Sequence, residues 1–158
     1  MCNCTTSSVC KRVRRSVESA LARPKVKAFV KASMKWKDLG LEVRPSGPTD
    51  AGMGVFTSVD ITRRKRVVMC LGTLVAADDQ AISCWAMTWH CKRTDDKLQT
   101  AMCMKSSDHV TRYINTSDKP NCTLEWIAGK RVPVVVSLRH IPAGSELTIG
   151  NEFLYSNV

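Results

Sequence analysis

From Leu39-Gly40 onward the chain is a series of short apolar runs separated by turn clusters, a cadence that leaves room for strands and little else. Leu41-Glu42-Val43-Arg44 alternates apolar and polar residues as a half-buried strand does. Pro45-Ser46-Gly47-Pro48-Thr49-Asp50 is a turn cluster, and Val55-Phe56 opens the next strand. Val67-Val68-Met69-Cys70-Leu71 is a continuous apolar run closed by Gly72, short enough for a buried strand. Thr123-Leu124-Glu125-Trp126-Ile127, a turn at Ala128-Gly129 and Val132-Pro133-Val134-Val135-Val136 read as a hairpin. Proline lacks a ladder donor, so Pro133 predicts an edge position or a bulge for the second of these strands. Over residues 78–104, Ile82, Trp85 and Trp89 share one helical face, which predicts a helix-bearing insertion. Many short strands, few helices and no repeat together predict a mainly β domain over residues 38–158.

The preceding residues have another character. Val13, Val17, Ala20 and Leu21, then Val26, Phe29, Val30 and Ser33, recur at helical spacing over residues 12–37, and Pro24 kinks or restarts the helix. The formal net charge of +10 is concentrated there. Of 24 Lys/Arg and 14 Asp/Glu in the chain, ten cations and a single acid, Glu18, fall in residues 1–37, leaving 14 and 13 for the rest. A nearly neutral domain thus follows a basic helical arm, residues 1–37. Such an arm is attracted to polyanions: nucleic acid, a nucleosome surface through residues 11–37, or acidic lipid. Lys11-Arg12-Val13-Arg14-Arg15 has the character of a nuclear import signal. The same charges also suit a solvated helix face, and the composition is that of an Arg-rich, acid-poor mitochondrial presequence as well.

With 158 residues, 44% of them apolar, the chain has material for one domain with its own core. No run of apolar residues is long enough for a membrane span, and Met1-Cys2-Asn3-Cys4 lacks the layout of a secretory signal. A nuclear or cytoplasmic protein, neither secreted nor membrane-bound, is the expectation. Its eight cysteines are then expected as thiols, with Cys70, Cys84, Cys91, Cys103 and Cys122 buried among apolar neighbours. Cys2, Cys4 and Cys10 have metal-like spacing, but three thiols do not close a tetrahedral site, and no metal site is assigned. His90, His109 and His140 are isolated in sequence, which predicts surface or internally satisfied histidines rather than acid–base groups.

Three motifs carry chemistry. The first is Ala51-Gly52-Met53-Gly54-Val55-Phe56, where a G-x-G marks a tight turn or a close backbone approach. The second is Arg112-Tyr113-Ile114-Asn115-Thr116-Ser117-Asp118-Lys119-Pro120-Asn121-Cys122. The third is Arg139-His140-Ile141-Pro142-Ala143-Gly144-Ser145-Glu146-Leu147-Thr148. In this order, over about residues 39–155, they resemble the SET domain of protein-lysine methyltransferases. The second motif matches the family pattern R-[FY]-I-N-H-S-C-x-P-N-C at eight of eleven positions; it departs at Thr116, where the family has His, and at Asp118, where it has Cys, while Lys119 falls at the unrestricted position. The third resembles [RD]-x-I-x-x-G-E-E-L-T.

The resemblance implies a SET-type β-clip with a C-terminal pseudoknot. It also implies S-adenosyl-L-methionine as cofactor, a protein substrate bearing a lysine, histones among the candidates, and a place in chromatin. Gly52, Met53, Gly54, Arg112, Asn115 and Thr116 fall at cofactor-binding positions. Asn115 keeps the family's amide, whereas Thr116 replaces the family's His and keeps only the backbone contacts. The basic run Thr62-Arg63-Arg64-Lys65-Arg66 replaces the family's Pro-x-Gly turn and reads as a solvated loop. The family's catalytic tyrosine falls at Asn151, and Tyr155 matches a second family tyrosine lining the site, which makes Tyr155 the catalytic candidate. No cysteine follows Cys122, so Cys122 is expected as a buried thiol. A catalytically degenerate SET-like binding module is the rival reading.

Overall fold

The computed structural model describes residues 19, 23–47, 52–70, 73–76, 86–90, 99–103, 109–127 and 132–150, with side chains omitted for 73–76, 86–90, 99–103, 126, 127 and 132. It is mainly β. Helix α1 (Pro24–Met34) and a 3₁₀ turn at Trp36–Leu39 precede ten strands: β1 (Leu41–Pro45), β2 (Met53–Thr57), β3 (Arg66–Met69), β4 (Thr73–Ala76), β5 (Ala86–His90), β6 (Gln99–Cys103), β7 (Asn115–Thr116), β8 (Cys122–Ile127), β9 (Val132–Ser137) and β10 (Glu146–Ile149). They form three sheets in the orders β1-β2-β10-β7, β3-β9-β8 and β4-β6-β5. Among the described residues no helix is long and apolar enough to cross a membrane.

The first two sheets share the main core. Leu41, Val55, Leu147 and Ile149 from one sheet meet Val68, Cys122, Leu124 and Val135 from the other, with Ile61, Val110, Ile114 and Ile141 closing the cluster. The opposite face of the β3-β9-β8 sheet buries Met69, Val134 and Val136 against Val26, Phe29 and Val30 of α1. Both faces of β9 are therefore covered, which is why Val134-Val135-Val136 is a continuous apolar run instead of an alternating one.

Pro24 stands at the helix start, where its missing N–H has no intrahelical partner to lose. Arg23, the N-cap residue, makes no side-chain cap, and the first turn contains no acid. Arg23, Lys27, Lys31 and Lys35 repeat at four-residue spacing, and each like-charged pair costs about 0.2–0.5 kcal/mol. Burial of an apolar side chain is worth roughly 1.5–3 kcal/mol when complete, so the packed face holds the helix in place. Ser33 adds a buried tie: its Oγ accepts from Met69 N at 2.9 Å. The part of the predicted helix over residues 12–22, like Cys2, Cys4, Cys10, Cys84 and Cys91, lies outside the described residues apart from Ser19.

Two expectations are corrected. The predicted helical insertion over 78–104 contains strands: β6 pairs with β4 on one side and with β5 on the other, placing Trp89 opposite Thr100. Of the three residues that predicted the helical face only Trp89 is described, in β5, and Ile82 and Trp85 lie outside the described residues. A four-residue spacing suits strand alternation as well as a helical turn, so periodicity cannot separate the two. Pro133 lies in the central strand of its sheet rather than at an edge. Its carbonyl accepts from Cys70 N at 2.9 Å, on the side where the pairing with β3 runs out after Met69↔Val134. A residue's N–H and C=O leave a strand on the same side, so the missing donor falls where β3 ends and the ladder to β8 is untouched. The predicted bulge is in β3 instead, between Arg66 and Val68.

A repeat invisible in the sequence appears in the hydrogen bonds. Ile61 and Ile141 exchange both backbone bonds, Arg64 N donates to Ser137 O while Gly144 N donates to Thr57 O, and Ser137 N donates to Lys65 O while Thr57 N donates to Ser145 O. Residues 57–65 and 137–145 thus serve each other in the same way. Gly144 has φ +84 and Arg64, its counterpart, has φ +64.

Candidate functional site

The sheet β1-β2-β10-β7 positions the site through its register. β10 lies between β2, with which it is antiparallel, and β7, with which it is parallel: Glu146 opposes Phe56, Leu147 opposes Val55, Thr148 opposes Asn115 and Ile149 opposes Thr116. Successive side chains take opposite faces. Leu41, Val55, Thr57, Leu147 and Ile149 therefore enter the core, while Glu42, Arg44, Phe56, Glu146, Thr148 and Asn115 occupy the half-exposed outer face. Sequence neighbours Asn115 and Thr116 consequently present their side chains to different faces.

Glu146 is the centre of the outer face. Its Oε1 accepts from Asn115 Nδ2 at 2.7 Å and its Oε2 accepts from Ser46 Oγ at 2.8 Å. Asn115 Nδ2 also donates to Met53 O at 3.3 Å. An amide nitrogen carries two hydrogens, so among the described residues the remaining capacity of the Asn115 side chain is its acceptor, Oδ1. Gly54 lies directly under the carboxylate: a Cβ there would collide with Glu146 Oε1 and stand 2.8 Å from its Cδ. Gly52 is glycine for another reason, a φ of +65, and nothing among the described residues lies within 4 Å of where its Cβ would be. Arg44 flanks the site, its guanidinium 3.9 Å from the Phe56 ring centroid and donating to Gly144 O at 2.9 Å.

Asn121 fastens the second motif to the third. Its Nδ2 donates to Glu146 O at 2.7 Å and its Oδ1 accepts from Thr148 N at 2.9 Å, so the amide serves β10 as a neighbouring strand would. Ser117 N donates to Ile149 O at 2.9 Å, and Arg139 donates to Pro120 O at 2.7 Å. Beneath them Cys122 is a buried free thiol whose pKa burial pushes up to about 12, with the Arg139 charge acting in the opposite direction. Cys70, also buried and free, is driven far above the ordinary thiol range by burial alone. Both are inert in the folded state.

The structure brings Gly52, Met53, Gly54 and Asn115 together at one edge of the sheet. Arg112 belongs to the 3₁₀ turn Val110–Tyr113 that leads into β7, with its guanidinium 5.0 Å from the Tyr113 ring centroid. Thr116 stands on the face of Ile149, so only its backbone is placed to serve a ligand on the Asn115 face. Asn151 and Tyr155 lie outside the described residues. Of the histidines, His140 is exposed beside Asp60, with Nε2 3.7 Å from Oδ2, and His109 is buried and fully bonded. The turn at Arg63–Arg64 is exposed, as its charges require.

A protein-family model for the SET domain matches residues 52–150, from the first glycine of the first motif through the residue after β10. The chain belongs to the SET domain family. No curated protein matches it. Members of the SET domain family are commonly lysine methyltransferases and typically use S-adenosylmethionine. In this SET domain the matched span includes every strand from β2 to β10, the first motif from Gly52 onward and the whole of the second and third. Sequence reasoning did not assign roles to Glu146 and Ser46. The available signal was a carboxylate on the polar face of the strand Glu146–Ile149, which is set opposite Phe56 with Gly54 two positions along β2.

Proposed function

We propose that this SET domain binds S-adenosylmethionine beside Met53, Gly54 and Asn115 and transfers its methyl group to the lysine amine of a protein, with histones as the substrate class and the nucleus as the setting. The observation that carries the reading is the placement of β10 between β2 and β7, which sets the G-x-G segment, Asn115 and Glu146 on one half-exposed face. The residues present suit a cationic ligand: Asn115 Oδ1 and the Glu146 carboxylate are acceptors, and among the described residues nothing fills the space at Gly52. When bound, S-adenosylmethionine supplies a methyl group made electrophilic by its sulfonium.

The chain's own task is to hold a neutral amine in line with that group. Deprotonating a lysine of pKa about 10.4 at pH 7 costs about 4–5 kcal/mol, and positioning supplies the larger part of such catalysis. Tyr155 is the side chain assigned to line the amine's path, with Asn151 offering a carbonyl acceptor in place of the family's tyrosine.

The second reading is a catalytically degenerate module that binds cofactor or protein without efficient transfer. It is favoured by Asn151 standing in register with the catalytic tyrosine, a change worth roughly 10²–10³ in rate, and by Thr116 replacing a histidine. Calorimetry with S-adenosylmethionine tests binding, and radiolabelled methyl transfer to histones tests activity. Transfer by the natural chain that is lost on Tyr155→Phe supports the enzyme. Transfer seen only after Asn151→Tyr establishes the degenerate module, and absence of cofactor binding removes the enzyme and leaves only a protein-binding module.

A further inference from the structure

We propose that the ridge Arg23-Lys27-Lys31-Lys35 along α1 is a docking surface for the phosphate backbone of duplex nucleic acid. The four residues stand at successive i, i+4 positions, are exposed, and span about 18 Å of helix axis. Nothing offsets them on the helix: its first turn has no acid, its N-cap has no side-chain acceptor, and Lys25 adds a further exposed cation. Like charges at this spacing oppose helix formation, as do Arg23, Lys25 and Lys27 at the positive end of the helix dipole, while Lys31 and Lys35 stand at its favourable negative end. An arrangement that is unfavourable in the free protein is relieved by an anion carrying closely spaced charges along a line.

Two observations and one physical consideration select the polymer. The apolar stripe of α1 (Val26, Phe29 and Val30) is packed on Met69, Val134 and Val136, so the helix has no apolar face with which to enter a bilayer. Ser33 ties the helix to the domain, its Oγ accepting from Met69 N and its carbonyl from His109 Nε2, so the ridge is carried on a helix fixed in place. A fixed row of separate cations matches regularly repeated phosphates better than the irregular acids of a folded protein surface.

The test is fluorescence anisotropy of the full chain with a short DNA duplex of random sequence, titrated between about 50 and 200 mM salt. Four neutralised phosphates contribute about −3.6 to the slope of log affinity against log salt, so the ridge accounts for roughly a hundredfold loss of affinity over that range. Neutralising it in the variant Arg23→Gln, Lys27→Gln, Lys31→Gln, Lys35→Gln is expected to lower the slope by about that amount without lowering the thermal midpoint. The variant Lys27→Arg, Lys31→Arg, Lys35→Arg is expected to retain the slope. An unchanged slope in the neutralised variant overturns the proposal, because binding would then run through other cations. So does tighter ridge-dependent binding to phosphatidylserine vesicles or to polyglutamate than to the duplex.

Discussion

The Glu146 carboxylate rests on the bare backbone of Gly54, held there by Asn115 from one side and by Ser46 from the other. The second glycine of the G-x-G motif is therefore required by a protein side chain. Gly54→Ala must push the carboxylate away and break two charge-assisted bonds, at a cost of about 1–3 kcal/mol. In a Glu146→Ala background the same substitution is expected to cost much less, because only the Phe56 ring, 3.2 Å from the added Cβ, then has to give. Urea denaturation of the two single variants and the double variant measures the coupling. Additive effects would show that Gly54 answers to something other than Glu146.

Arg64 holds a left-handed conformation that its counterpart Gly144 adopts without strain. Arg64→Gly is expected to raise stability by about 0.5–1 kcal/mol, after allowing for glycine's greater freedom in the unfolded chain. The Arg64–Glu125 contact at 2.8 Å is largely exposed and offsets little of this gain. Gly144→Ala, the mirror experiment, is expected to lose a similar amount. Denaturation midpoints check both signs, and a destabilised Arg64→Gly would mean that the ion pair outweighs the backbone.

These two relationships mark where the sequence could and could not be read. β1, β2, β3 and the β8–β9 hairpin were legible because a strand with one buried face alternates and one with two buried faces is continuously apolar, and both patterns survive in Leu41–Arg44 and Val134–Val136. The Pro120-Asn121-Cys122 ending was legible as a motif, but its work, an amide taking the place of a strand edge for β10, is a long-range contact that no local pattern encodes. Trp89 misled because its spacing suits two periods. The equivalence of residues 57–65 with 137–145 resides in backbone bonds, and only Ile61 and Ile141 among the residues of the two turns through Arg64 and Gly144 agree in identity. Glu146 was visible but unassigned, since a single acid on a polar face has no signature until Gly54 and Asn115 are brought to it.

Asn121 makes a sharper case for the crossing of the second and third motifs. Asn121→Ala removes both side-chain bonds to β10 and is expected to cost about 2–3 kcal/mol. Because Cys122 is buried in the same stretch and its thiol is held neutral, the loosened chain should expose it. Labelling with a thiol reagent under native conditions is expected to be faster at Cys122 than in the parent while Cys70 stays protected. Equal labelling at the two cysteines would indicate global unfolding and not a local opening at the motif.

His109 ties α1 to the turn that leads into Asn115, and its protonation state is fixed by its partners. The Ser33 carbonyl accepts from Nε2 at 2.8 Å, so Nε2 carries the hydrogen, and Nδ1 faces the Thr111 hydroxyl at 2.9 Å and the Thr111 amide at 3.5 Å. Burial lowers the pKa of this neutral imidazole, against the weaker opposing effect of the Ser33 bond. A histidine whose folded pKa lies below its unfolded value of about 6.5 takes up its proton preferentially in the unfolded chain. Its contribution to stability is thus complete above that value and is lost as the pH falls from there through the folded pKa. The loss is at most about 1.4 kcal/mol per pH unit within that window. Unfolding free energies measured from pH 7.5 down to pH 5 are expected to fall more steeply for the parent than for His109→Gln, which keeps a donor for Ser33 but does not titrate. Parallel pH profiles for the two proteins, or a parent that gains stability relative to the variant on acidification, would show that the buried imidazole is not the group that loosens the helix from the site.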